Sequence, residues 1–250
     1  MIYAAVLKDM TGVTFRREDV LNAVLKKYPG YNAGSFNRHF SRMLSKDLIE
    51  NVGRNLYIAT SPDIAKKTYL YEHTSAQFSD VSSFIASEFP LADFLVWETT
   101  QMNEFFGHQT AQNIIVVSAE KMLTEMIFER MKERSFRVLL SPKPEDINRY
   151  AENGSVIIEK LSSRYPKNRT DKHGYSIEKL IVDLFAERTM RSFFSKGEYP
   201  AALENIFRKY KVNENRMFNY AKMRRVDNAI RHMIENDTDV DLYTDGELIF

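Results

Sequence analysis

The reading of the fold turns on Gly34-Ser35-Phe36-Asn37-Arg38-His39-Phe40-Ser41-Arg42-Met43-Leu44-Ser45-Lys46 and the two short runs after it, Leu48-Ile49-Glu50-Asn51-Val52 and Leu56-Tyr57-Ile58-Ala59. Phe36, Phe40, Met43 and Leu44 fall at i, i+4, i+7 and i+8, so residues 34–47 predict a helix with one apolar face. At 100° per residue Arg38, Ser41, Arg42 and Ser45 lie opposite that face, with His39 and Lys46 at its edge. The two runs that follow flank Gly53-Arg54-Asn55, which is the pattern of a β-hairpin.

Upstream, residues 2–8 read as a short helix ended by Thr11-Gly12. Thr14 is the expected N-cap of a second helix, in which Val20, Leu21, Val24 and Leu25 form a stripe before Pro29-Gly30 stops it. Three short helices and then a hairpin is the order of a winged helix-turn-helix, expected over residues 1–60. In that fold the third helix enters a major groove with its core face packed and its Arg/Ser/Asn face outward, and Arg54 and Asn55 sit at the tip of the wing. Winged helices also serve as protein-interaction modules, so the basic outward face carries the DNA-binding reading more than the fold does.

Downstream the pattern changes. Ser61-Pro62 predicts a helix start, the helix running to about Tyr71, and Thr74 is the expected cap of another helix ending at Glu88. Phe94–Trp97, Ile114–Val117, Phe136–Leu140 and Val156–Ile158 are apolar runs of strand composition. Helical stretches at Thr100–Phe106, Ala119–Arg134 and Glu145–Glu152 separate them. Such alternation predicts a sheet covered on both faces, hence a mixed α/β domain over residues 61–170. Residues 171–235 read as a helical C-terminal part packed on that domain. An amphipathic helix there carries Ile177, Leu180, Ile181, Leu184 and Phe185, a second covers 200–210 and a longer one 214–235. Residues 236–250 form an acidic tail, with a short terminal strand expected at Glu247–Phe250. The fold class is thus α+β, a winged helix-turn-helix followed by a mixed α/β domain with a helical end.

Composition narrows the function. The 250 residues hold 44% hydrophobic and 28% charged side chains, the balance of a globular chain. The absence of cysteine excludes disulfides, thiolate catalysis and Cys-based metal sites. No window reaches the roughly 20 apolar residues of a membrane helix and no secretory leader is evident, so a cytoplasmic protein without membrane contact is expected. The net charge of +1 is unevenly spread. Residues 1–60 carry +4, 61–170 carry −2, 171–235 carry +4 and the last 15 carry −5. Two basic regions flanking a neutral one suit a polyanionic partner, although solvated surfaces also differ by a few charges.

Several catalytic signatures are missing. The nine glycines never lie closer than four apart, so neither a dinucleotide-binding nor a phosphate-loop motif can be drawn. No two of the five histidines sit at helical metal-ligand spacing, and the pairs His232/Glu235 and Glu104/His108 read as surface contacts. None of the 17 lysines has an acid two positions before it, which removes the usual restriction-type nuclease site. Gly34-Ser35 leads only to Asp47-Leu48-Ile49, and Gly154-Ser155 to no paired acids, so a nucleotidyltransferase site fails as well. Asp237-Thr238-Asp239-Val240-Asp241 opens like a calcium loop but has Leu242 and Leu248 where Gly and Glu are needed. No metal and no cofactor are expected. Arg216, Lys222, Arg225 and Arg231, interleaved with apolar residues, read either as a second basic surface or as cations spread around a core helix.

The layout resembles the AbiEi-type antitoxins of type IV (abortive infection) toxin–antitoxin systems. The resemblance rests on the hairpin Asn51-Val52-Gly53-Arg54-Asn55-Leu56-Tyr57, on Val96-Trp97-Glu98-Thr99-Thr100 with Asn103-Glu104-Phe105 and His108-Gln109, and on Asn219-Tyr220-Ala221-Lys222-Met223-Arg224-Arg225. It implies a non-enzymatic autorepressor that binds an inverted repeat in double-stranded DNA near its own promoter. The positions matching the family's DNA-contacting helix and wing are Ser35, Asn37, Arg38, Ser41, Arg42, Lys46, Arg54 and Asn55. It also implies a functional partner, a nucleotidyltransferase toxin that the antitoxin need not touch directly. Two alternatives stand beside it: a nucleic-acid-processing enzyme with a divergent metal site among Asp93, Glu98, Glu120 and Glu159, and a winged-helix protein-interaction adaptor.

Overall fold

The structure is a computed structural model that describes residues 2–45, 48–59 and 67–242. By its contacts the chain divides into two compact units, Met1–Lys67 with Asn213–Arg216 and Asp241–Phe250, and Thr68–Val212 with Met217–Val240.

The first unit runs α1 (Ile2–Lys8), β1 (Thr14–Arg16), α2 (Arg17–Lys27), α3 (Phe36–Ser45), β2 (Ile49–Gly53) and β3 (Leu56–Ala59). Thr14 is not a helix cap. It opens β1, pairing antiparallel with β3 at Thr14↔Ile58, and Phe15 of the same strand is buried in the core. The helix starts three residues later, where the Arg16 N–H donates to Asp19 Oδ2 at 2.7 Å. Acids in the first turn (Glu18, Asp19) and lysines in the last (Lys26, Lys27) complement the helix dipole. A 3₁₀ turn at Ala33–Ser35 leads into α3, with the Asn32 side chain accepting from the Gly34 N–H at 2.9 Å. β3 lies between β1 and β2, and the hairpin turn places Asn55 at φ 58°, a left-handed conformation that asparagine tolerates. Val6, Leu7, Phe15, Val20, Val24, Phe36, Phe40, Met43, Ile49 and Ala59 form one core.

The second unit holds α4 (Ala76–Glu88), β4 (Phe94–Glu98), β5 (Ile115–Ala119), α5 (Thr124–Glu133), β6 (Val138–Leu140), α6 (Pro144–Tyr150), β7 (Val156–Lys160), α7 (Ile177–Ala186), α8 (Arg188–Phe193) and α9 (Tyr199–Lys209). α10 (Glu214–Arg224) begins among the residues grouped with the first unit, and α11 (Asp227–Asp237) follows it. The sheet order is β4-β5-β7-β6, with β4 antiparallel to β5 and the other pairs parallel. Phe94, Val96, Ile115, Val117, Val156 and Ile158 pack with Val81 and Ile85 of α4 and Ile127 and Met131 of α5. Leu95, Trp97, Val116 and Ile157 are equally buried; alternation along the strands points them to the opposite face, where Trp97 meets the rings of Tyr175, Phe193 and Phe194. Burial on both faces is why these strands read as unbroken apolar runs. The outer side of β4 is occupied too. The Val96 N–H donates to the His173 carbonyl at 2.8 Å, the His173 ring stacks on Phe94 at 4.0 Å, and Gly174 bridges to Val96. At Gly174 a Cβ would meet the Asp171 carboxylate, so any larger residue there would require the Asp171 side chain to shift.

Several expectations are corrected. The stretch expected as helix up to Tyr71 contains no helix over 68–71, and its earlier part lies outside the described residues. Ser75, not Thr74, caps α4, accepting from the Phe78 N–H at 3.0 Å. Residues 99–104 form a 3₁₀ turn, and α5 begins only at Thr124. α7 is not amphipathic, since Ile177 through Phe185 are all buried. The single helix expected over 214–235 is two. Arg225 turns the chain at φ 59°, and the Val226 N–H closes the end of α10 on the Ala221 carbonyl at 3.0 Å. The expected terminal strand lies outside the described residues. Among those residues no helix is long and apolar enough to cross a membrane.

Truncating Phe40, which is 2% exposed and edge-on to Tyr57 at 4.7 Å, is expected to cost about 3–5 kcal/mol. Urea unfolding of Phe40→Ala followed by far-ultraviolet circular dichroism checks this, and a shift under about 1 kcal/mol would contradict the packing described.

Candidate nucleic-acid interface

α3 sorts its residues as an amphipathic helix should. Phe36, Phe40 and Met43 are buried, Leu44 is half-buried, and Asn37, Arg38, Ser41 and Arg42 are exposed. Arg54 and Asn55 are exposed at the hairpin turn. Ser35 is half-buried in the 3₁₀ turn and spends its hydroxyl on the Asn32 carbonyl at 2.8 Å. Lys46 lies outside the described residues. The same helix thus presents Asn37, Arg38, Ser41 and Arg42 on its solvent side, while Ser35 is partly withdrawn into local structure.

Two features around α3 went unread in the sequence. Arg17 of α2 lies over the Phe40 ring at 5.1 Å and the Phe36 ring at 6.0 Å, and its Nη2 donates to Asn37 Oδ1 at 2.6 Å. It fixes the Asn37 amide from a position 20 residues away, where no local pattern could reveal it. Tyr3, Tyr31 and His39 form a second cluster: the two phenols lie 2.8 Å apart and the Tyr31 hydroxyl is 3.0 Å from His39 Nδ1. His39, expected at the helix edge, is thereby engaged with α1 and the loop before α3.

The second set of basic residues is dispersed. Arg216 is half-buried and belongs with the first unit. Lys222 and Arg225 are exposed near the end of α10. Arg231 is half-buried, its guanidinium 4.3 Å from the Phe218 ring and 3.9 Å from Glu235. The surface pairs expected for the histidines also change partners. Glu104 is held by Lys209 and by the Tyr210 hydroxyl at 2.6 Å, and His108 lies 2.6 Å from Glu198.

The acids of the α/β sheet do not converge. Glu98, at one end of β4, is fully buried and accepts from Tyr71 Oη (2.6 Å), Ser75 N (2.9 Å), Ser75 Oγ (2.6 Å) and Asn113 Nδ2 (2.6 Å). Every lone pair in good position is taken by a neutral donor, which ties the cap of α4 to the end of β4. Asp93 accepts from the Tyr165 hydroxyl at 2.8 Å, and Glu120 is exposed. Glu159 accepts from Ser118 Oγ at 3.2 Å and Thr189 Oγ1 at 2.7 Å. Among the described residues no three of His, Asp and Glu are placed to hold a metal ion.

Behind Glu159 lies a buried charge network. Lys179 and Asp183, 1% and 0% exposed, form an ion pair within α7. Asp183 Oδ1 also accepts from Tyr220 Oη at 2.9 Å and Arg224 Nη1 at 3.1 Å, while Arg224 Nη2 reaches Glu187 at 2.7 Å. Burial alone would lower the Lys179 pKa, but Asp183 with Tyr175 and Tyr220 outweighs it and holds the ammonium well above its usual range. Burial, with the negative charge of Glu187 nearby, pushes the Glu159 carboxyl up to about 7.

Residues 35–240 match the family described as a family of unknown function, DUF6577, and the chain belongs to it. No curated protein matches the sequence. Among solved structures the chain is similar to the crystal structure of RV2827C protein from Mycobacterium tuberculosis, at 10% identity and a TM-score of 0.32, over 96% of this chain and 81% of that one.

The raised Glu159 pKa has a sign that can be tested. Its stabilising contribution is complete below the ordinary carboxylate value of 4.5 and is lost as pH rises toward 7, where the native state must ionise a carboxyl it holds neutral. Glu159→Gln keeps the shape without the ionisation, so its Tm is expected to exceed that of the unaltered protein at pH 8 and to differ much less at pH 5. Thermal unfolding at the two pH values decides it, and an equal difference at both would rule out titration of Glu159 in this range.

Proposed function

We propose that this chain is a DNA-binding transcriptional regulator whose N-terminal unit is a winged helix, and that it acts as an antitoxin of the AbiEi kind. The observation that carries the reading is the division of α3, which buries Phe36, Phe40 and Met43 and leaves Asn37, Arg38, Ser41 and Arg42 exposed. The order of elements supports it: helix, short strand, two helices and a hairpin, with the first strand pairing the second arm of the hairpin, is the wiring of winged-helix domains. The net charge of +4 over residues 1–60 suits a phosphate backbone.

In this reading Arg38 and Arg42 address base edges or phosphates in a major groove, and the exposed turn with Arg54 and Asn55 reaches the flanking backbone. Asn37, held by Arg17, presents a pre-oriented amide, which lowers the entropy cost of a base contact. The antitoxin role follows only from the resemblance in the hairpin and in the segments around Trp97 and Arg224, with a nucleotidyltransferase toxin as the functional counterpart. An enzymatic reading with a metal site among Asp93, Glu98, Glu120 and Glu159 is less favoured, because the donors around Glu98 already occupy it.

Fluorescence anisotropy with the duplex upstream of the chain's own gene, against a scrambled duplex, tests the proposal. Selective binding is expected, and Arg38→Ala with Arg42→Ala is expected to weaken it about 10-fold or more, since one good bidentate arginine–guanine contact contributes about 1–3 kcal/mol. If Arg38, Arg42, Lys46 and Arg54 each meet a phosphate, affinity should fall roughly 100-fold between about 50 and 200 mM salt. Equal binding of both duplexes, or an unaffected double variant, would overturn the assignment in favour of a protein-interaction adaptor.

A further inference from the structure

The parallel strands β5, β7 and β6 end at one edge of the sheet of the second unit, and two hollows open there. One, of about 700 Å³, is lined by Lys143, Glu145, Asn148, Arg188, Arg191 and Ser192. The other, of about 360 Å³, is lined by Lys160, Ser162, Ser163, Arg164, Glu187 and Arg224. They adjoin along the chain at Glu187-Arg188, and across the sheet at the ends of neighbouring β6 and β7, where the Ser141 N–H donates to the Ile158 carbonyl at 2.8 Å. In open α/β sheets the crevice outside the carboxyl ends of the strands is where ligands bind.

The charges at this edge are arranged differently from those around α5 and the start of β6. Around α5 and the start of β6 the cations face acids, as in Arg130–Glu133, Lys132–Glu129, Arg134–Glu88 and Arg137–Glu152. Lys143, Lys160, Arg164, Arg188 and Arg191 are all exposed. None of their side chains has a hydrogen-bond or ion-pair partner among the described residues. Arg224 is excluded from this set because Asp183 and Glu187 already neutralise it, which also uses up Glu187. Glu145 is the remaining acid of the two linings, so positive charge dominates.

We propose that this edge is a binding site for a phosphoanhydride, the di- or triphosphate group of a small molecule. Arg188 and Arg191 stand three apart on α8 and so share a face, which gives two guanidinium forks for bidentate contacts to phosphate oxygens. Lys143, Lys160 and Arg164 supply further charge beyond what a single phosphate can neutralise. Asn148, Ser162, Ser163 and Ser192 add neutral donors. The hollows have the volume of small-molecule sites, which favours a compact polyanion over a nucleic-acid backbone. This proposal is independent of DNA binding by α3.

Isothermal calorimetry on the full chain, with inorganic pyrophosphate, tripolyphosphate and ATP as probes, tests it. Saturable binding of all three is expected, with inorganic sulfate competing weakly. Arg188→Ala with Arg191→Ala, and separately Lys160→Ala with Arg164→Ala, are each expected to weaken pyrophosphate at least about tenfold. Arg137→Ala, whose side chain pairs with Glu152 before β6, and the Arg38/Arg42 double variant are expected to bind it unchanged. All replaced side chains are exposed, and matching near-ultraviolet circular dichroism confirms their folding. No heat from pyrophosphate at about 1 mM would overturn the site. So would equal loss in Arg137→Ala, which marks unspecific charge attraction, and so would an oligonucleotide that still binds the Arg38/Arg42 double variant, is lost on adding Arg188→Ala with Arg191→Ala, and is not displaced by pyrophosphate. ATP binding without pyrophosphate binding would also refute the phosphoanhydride as the recognised group.

Discussion

Asp183 is the constraint on which the second unit is built. A carboxylate with no exposure must find charge and donors inside the protein, and it finds Lys179 one turn back on α7, with Tyr220 and Arg224 on α10. Arg224 extends the network to Glu187 and to Ser162 Oγ at 2.9 Å, beyond the end of β7. One buried anion thus fixes the mutual position of two helices and a strand exit. Removing one partner of such a group leaves a charge without compensation, at a cost of about 3–5 kcal/mol, whereas the intact network is close to neutral against an apolar core. Its contribution is therefore better described as geometric, because few arrangements of α7 and α10 satisfy all these groups together.

The two acids at opposite ends of the sheet show how environment separates residues of one type. Glu98 accepts from the Ser75 N–H, the Ser75 hydroxyl and the Asn113 amide, and it joins the start of α4 to β4. Glu159 has two hydroxyl donors, and burial with the charge of Glu187 nearby pushes its carboxyl up. Both were grouped in the sequence as acids near strand ends. The distinction lies in partners that are 15 to 41 residues away, and spacing along the chain carries no record of them.

What could be read in advance follows from how local each signal is. The stripe Phe36, Phe40, Met43 and the turn around Gly53-Arg54-Asn55 depend on neighbours within a few residues, and both appear as expected. β1 was missed because three residues are too few to show alternation and their partner strand lies some 40 residues later. The polar residues of α7 looked like a solvated face, since Lys179 and Asp183 four apart are the usual surface pair; only tertiary packing buries them. The break after α10 has neither glycine nor proline, so Arg225 in the left-handed region carries no compositional mark. Of the expected DNA-facing residues, the amphipathic period located the solvent side of α3, while the support that Arg17 gives Asn37 required the fold.

The segment His173-Gly174 alongside β4 has a consequence for how copies of this protein meet one another. A border strand with a free row of amide and carbonyl groups invites a neighbouring chain to extend the sheet, the first step toward fibrillar association. Here the Val96 amide is already spent on the protein's own His173 carbonyl, and the stacked imidazole lies over Phe94. On the far border β6 is only three residues long and is followed by Ser141 at φ 43° and then Pro142, so it offers little template. Both borders of this sheet thereby offer a neighbouring strand little backbone to pair with.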